Sequence, residues 1–131
     1  MIKHIRLYGA ALGLILSATG AAAATLPLND GTYMREGTAC HEAPFAAQFS
    51  YSAGAFSYPH ATQCRSVIAR HSGRTYAVRE TCAAEGDGTP ARPDTLTTQY
   101  RVLSADRVTL TKAFGADRTP VTYRRCPVAV N

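Results

Sequence analysis

Apolar and polar residues alternate with a period of two over most of the chain after residue 30, and that period predicts strands. Thr32-Tyr33-Met34-Arg35 follows an Asn29-Asp30-Gly31 turn and reads as a first strand. Phe45 to Tyr51 places Phe45, Ala47, Phe49 and Tyr51 on one face. Ser52 to Ala55 turns the chain, and Phe56 to Tyr58 returns until Pro59, which cannot donate to a ladder. From Cys64 to Cys82 two alternating arms flank a His71-Ser72-Gly73 turn, with Tyr76 and Val78 on one side and Thr75, Arg79 and Thr81 on the other. This hairpin is the expected centre of the domain. Leu96 to Val102 alternates strictly, Ser104-Ala105-Asp106 turns, Arg107 to Lys112 alternates again, and Val121-Thr122-Tyr123 opens a last strand ending at Cys126-Pro127. Gly37 to Phe45, Ala83 to Asp94 and Phe114 to Pro120 carry glycine and proline and read as loops.

Seven to eight short strands with turn signals between them, and no helical period, predict an all-β fold. It is a small antiparallel β-barrel or sandwich. The inward candidates are Tyr33, Phe49, Tyr51, Phe56, Tyr58, Ile68, Tyr76, Val78, Tyr100, Val102, Val108, Leu110 and Tyr123. Many are tyrosines, whose hydroxyls need partners.

The first 24 residues do not fit this pattern. Lys3 and Arg6 precede an uncharged apolar run from Leu7 to Leu16, and Ala22-Ala23-Ala24 supplies small residues for cleavage. That is the form of a secretory signal peptide, over a run too short to span a bilayer. Residues 1–24 are therefore expected to be removed, leaving 25–131 as one soluble domain with no stable membrane anchor, periplasmic or secreted. All four cysteines, Cys40, Cys64, Cys82 and Cys126, fall in that domain. An even number behind an export signal implies two disulfides. Four cysteines allow three connectivities. Cys40–Cys64 with Cys82–Cys126 is the favoured one, although an up-and-down count puts Cys126 at the end opposite the other three.

The chain has 14 Lys+Arg against 9 Asp+Glu. Without Lys3 and Arg6 that becomes 12 against 9, a charge near +3, and eleven of the twelve are arginine. A basic face suits an acidic partner, whereas an arginine-rich solvated surface needs none. Apart from Arg124-Arg125 there is no basic run and no nucleic-acid-binding motif, so no nucleic acid partner is expected.

Catalytic signatures are missing: there is no HExxH, P-loop or GxSxG, and no telling carboxylate pair. Cys40-His41-Glu42 alternates sides of an extended chain and cannot form a relay within itself. His41, His60 and His71 stand in separate loops or turns, and the cysteines lack CxxC spacing. No enzyme, metal or cofactor is expected. Ser72-Gly73-Arg74-Thr75-Tyr76 has the form Ser-Gly-x-x-Tyr. It resembles a motif of small periplasmic lysozyme inhibitors, disulfide-bearing β-barrels in which that loop enters the lysozyme cleft and its serine meets the catalytic carboxylates. The resemblance implies Ser72 and Tyr76 as the matching positions, with His71 and Arg74 beside them as partner-binding residues. The Trp and Lys-Gly motif of the best-known branch is absent, since the chain has no Trp.

Two functions follow as expectations. One is an envelope protein that binds or inhibits a partner with an acidic cleft, such as a secreted hydrolase. The other is a structural or small-ligand-holding barrel with tyrosines lining a cavity. A protruding basic turn at His71–Arg74 favours the first, and a wide cavity the second.

Overall fold

The computed structural model describes residues 25–41, 45–112 and 118–127. The expected signal peptide lies outside them. Eight antiparallel strands form one sheet: β1 (Gly31–Arg35), β2 (Gln48–Ser52), β3 (Ala55–Ser57), β4 (Ala61–Ser72), β5 (Thr75–Glu85), β6 (Pro90–Ser104), β7 (Arg107–Lys112) and β8 (Val121–Arg125). Their order is β3-β2-β1-β8-β7-β6-β5-β4. The two outer strands, β3 and β4, meet through a Tyr58↔Ala61 bridge, so the sheet curls into a nearly closed barrel. Closure removes most of the free edge that an open sheet of this length would expose.

All thirteen inward candidates lie in the core or pack against it. Aromatic rings dominate it: Phe49 stacks on Tyr33 at 5.1 Å between centroids and Phe56 on Tyr100 at 4.5 Å. Such pairs add about 0.5–1.5 kcal/mol each beyond the area they bury. Leu26 and Leu28, in the lead before β1, join the same cluster. They seal one end of the barrel, where the Tyr51 hydroxyl donates to the Leu26 carbonyl at 3.1 Å and the Asn29 amide to the Ala105 carbonyl at 2.8 Å. The Tyr33 hydroxyl reaches the carbonyls of Asn29 (2.7 Å) and Ala105 (3.0 Å). Burial pushes its pKa up to about 12, so it remains a donor.

The disulfides are Cys40–Cys126 and Cys64–Cys82, not the favoured pairing. Residues 36–40 do not stay at the end of β1 where an up-and-down count leaves them. They fold back along the outside of β8, where the Arg124 guanidinium donates to the Thr38 carbonyl at 3.3 Å, and Cys40 thereby reaches Cys126. Cys64 and Cys82 are opposed residues of the β4–β5 ladder.

Two local expectations also change. Phe45–Ala47 forms a 3-10 turn, and β2 begins only at Gln48. The segment 83–94 is mostly strand, with a turn confined to 86–89 between β5 and β6. Its prolines are tolerated because β6 pairs with β7 only from Thr98 onward, leaving one side of Pro90 and Pro93 without a ladder. A register shift between Cys82 and Ala84 loosens the other side. Gly86 in that turn lies against the Pro59 carbonyl, which a Cβ would meet at 1.7 Å. Only glycine lets the β5–β6 and β3–β4 turns meet there.

Candidate functional site

At the end opposite the Leu26–Leu28 seal, the barrel holds a cavity of about 290 Å³. Its walls include Ala61, Ala84, Leu110 and the Cys82 half of a disulfide, and its depth reaches Tyr58, Thr98 and Glu80. Glu80 is the notable member. Tyr76, Val78, Glu80, Cys82 and Ala84 share one face of β5 by the two-residue period, and that face points inward. A carboxyl therefore occupies a position that the pattern reserves for a hydrophobe, and it is only 4 % exposed.

Two tyrosine hydroxyls hold it. Tyr58 donates to Glu80 Oε1 at 2.8 Å and Tyr100 to the same oxygen at 3.0 Å. The two hydroxyls also lie 2.6 Å apart, so with Glu80 ionised their two hydrogens serve three contacts. Tyr58 arrives from the link after β3 and Tyr100 from β6, so the cluster also ties the barrel's closing edge to its middle. Burial raises the Glu80 pKa, and hydrogen bonds from Tyr58, Tyr100 and Thr98 offset part of that rise. The same burial, reinforced by their oxygen neighbours, pushes both tyrosines well above their ordinary value. Among the described residues no cationic nitrogen pairs with Glu80. On β4, directly opposite Glu80, the Ser66 hydroxyl oxygen is buried and has no hydrogen-bond partner.

The mouth is mixed in charge. Glu85 and Asp94 stand there with Arg92 and Lys112, and His60 lies near the Tyr58 ring at 6.0 Å. The acids and bases balance, so Glu80 is the unmatched ionisable group inside.

The residues expected to bind a partner form a different place. His71, Ser72 and Arg74 are exposed at the tip of the β4–β5 hairpin, at the sealed end of the barrel. Ser72 pairs with Thr75, leaving Gly73 and Arg74 as a two-residue loop one position later than the expected turn. Gly73 takes φ 55°, as the first loop residue of a type II′ turn requires. Tyr76 is not offered outward: His71 stacks on it at 4.2 Å, and the ring packs against the core. Arg74 donates to the Leu103 carbonyl at 3.3 Å. The tip presents Ser72 with His71 and Arg74 beside it, and the cavity is at the other end.

Cys40 is in a disulfide, and Glu42 lies outside the described residues. His60 and His71 are at opposite ends of the barrel and do not converge. Glu80 is the residue that reading the sequence for motifs misses. Its signal is phase, since it falls two residues after Val78 on the face of Tyr76. Comparison with known protein families, curated proteins and solved structures finds no match to this chain.

Proposed function

We propose that this protein is an exported β-barrel that holds a small ligand in the cavity above Glu80. The observation that carries the reading is a carboxyl buried in a cavity wall, kept there by two tyrosines and matched by no cation among the described residues. Burying an ionisable group costs several kcal/mol after relaxation, and a hydrophobe of similar volume commonly serves stability as well or better. A cavity with apolar walls and a few convergent polar groups is the form small-ligand sites take. Its size suits a ligand of few heavy atoms, and the seal at the opposite end makes it a blind cup. Two disulfides fit an oxidising compartment. With the signal-like residues 1–24, that supports the periplasm or the exterior. Intact mass of the exported protein is expected to lack those residues.

The direct test is a ligand-detected NMR screen of small neutral, cationic and anionic compounds against the disulfide-bonded protein. Hits should shift the amides of Glu80, Thr98 and Ala84. A screen in which no compound moves these signals overturns the reading.

The exposed hairpin tip supports a second reading, partner binding of the lysozyme-inhibitor kind. A hydroxyl beside a guanidinium complements the two carboxylates of a lysozyme cleft. Inhibition of cell-wall lysis at micromolar protein, lost in Ser72→Ala/Arg74→Ala, is the expected result. No inhibition of any lysozyme class removes this reading.

A further inference from the structure

We propose that the cavity selects small organic cations, an alkylammonium group meeting the Glu80 carboxyl with its apolar tail toward the Ala84 and Leu110 wall. This rests on the ligand-holding reading and adds the charge of the ligand. Two features of the geometry lead to it. First, the Tyr58–Glu80, Tyr100–Glu80 and Tyr58–Tyr100 contacts share only two hydroxyl hydrogens, so an ionised Glu80 is left one donor short. The missing partner is a donor. Second, the mouth carries two cations, Arg92 and Lys112, and two anions, Glu85 and Asp94, whereas the carboxyl inside is without an ion-pair partner among the described residues. A buried carboxylate gains most from an opposite charge brought into the same low-dielectric space.

Proton binding competes with such a ligand. With the Glu80 pKa raised above 4.5, the carboxyl is neutral at acid pH and ionises as pH rises. Cation affinity therefore climbs with pH to a plateau. The other titratable and charged groups facing the site are Tyr58 and Tyr100, with Tyr123 acting on Tyr58. At the mouth they are His60, Glu85, Arg92, Asp94 and Lys112. His60 also stands at the mouth, so the titration is run in His60→Gln, which leaves no histidine among the lining residues.

The probes are n-butylammonium, n-butanol and n-butyrate, measured by calorimetry and by amide shifts of Glu80 and Thr98. Butylammonium is expected to saturate at pH 8 and to bind at least tenfold tighter than butanol, with butyrate weakest. It should weaken at least tenfold in Glu80→Gln, and progressively as pH is lowered through the raised Glu80 pKa. Butanol or butyrate binding as tightly as the ammonium at pH 8 overturns the cation assignment and leaves the cavity as a site for other ligands. Failure of all three probes also overturns it, while the wider screen decides whether the cavity binds anything. If Glu80→Gln does not fold, the pH series on the protein with Glu80 intact decides alone, and a flat profile refutes the proposal.

Discussion

Removing the two disulfides one at a time should cost unequal amounts, and the order follows from the topology. Cys40–Cys126 closes a sequence separation of 86 and Cys64–Cys82 one of 18. In the chain-entropy model, the first constrains the unfolded chain by about 4.6 kcal/mol and the second by about 3.2 kcal/mol. The small loop is nested in the large one, and the shortcut lowers the larger figure by only ~0.2 kcal/mol. All four cysteines are partly buried, so packing losses on replacement are comparable and leave the difference intact. Cys40→Ala/Cys126→Ala is thus expected to be less stable than Cys64→Ala/Cys82→Ala by about 1.2–1.4 kcal/mol. In a domain of this size that separates the melting temperatures by about 5–10 °C. Urea unfolding followed by tyrosine fluorescence gives the free energies, and non-reducing peptide maps give the connectivity. If the Cys64/Cys82 variant is the weaker one, loop entropy is not what these bonds supply. A map showing Cys40–Cys64 would instead refute the folding of residues 36–40 over β8.

Other outcomes are expected from single positions. Glu80 binds its proton more tightly in the folded state than in the unfolded one, so stability falls as pH rises from 4.5 through its raised folded pKa. Glu80→Gln should flatten that slope and raise the melting temperature on its alkaline side. A variant that melts lower throughout would contradict this. Glu36 and Asp106 act in the opposite sense, since Arg107 and Arg125 hold their pKa values down. Their contributions are present above 4.5 and 3.8 and are lost on acidification, so Arg107→Gln should reduce the loss of stability seen in acid titration. Gly86→Ala should cost about 1–3 kcal/mol, because the Pro59 carbonyl must move, and its amide shifts should centre on the cavity mouth. Tyr33→Phe should cost about 1–3 kcal/mol in urea unfolding by removing the hydroxyl donor of the Asn29 carbonyl, while the Ala105 carbonyl keeps the Asn29 amide.

The strands and the core were legible because each inward side chain repeats at two residues and most are aromatic. What period cannot show is where it slips. Counting back from Ser72↔Thr75, an unbroken ladder would set Cys64 opposite Ala83. The extra residue between Ile68 and Arg70 moves it opposite Cys82. No residue type announces that bulge, so the sequence permits the hairpin disulfide without singling it out. Leu26 and Leu28 stand outside any strand, and their burial depends on a barrel end that local pattern does not describe. Glu80 was visible in phase but not in meaning, because a polar residue within an apolar alternation reads equally well as a strand end. Only Tyr58 and Tyr100, 22 and 20 residues away, make it a site.

The pairing of β1 with β8 also governs how the chain reaches this state. Tyr33↔Arg125 and Arg35↔Tyr123 join residues about ninety positions apart, and the barrel has no complete wall until they meet. Such contacts give the search high contact order, since a long loop must close before its pairing is rewarded, and folding is slow for the size. The β4–β7 meander can assemble from neighbours along the chain, so it is expected to form first and wait. During that interval its free margins, and the inward face carrying Glu80, are open to solvent and to other chains. Arrival of β8 is therefore the committing event. Once β8 has docked, the Cys40–Cys126 bond makes that arrival hard to reverse.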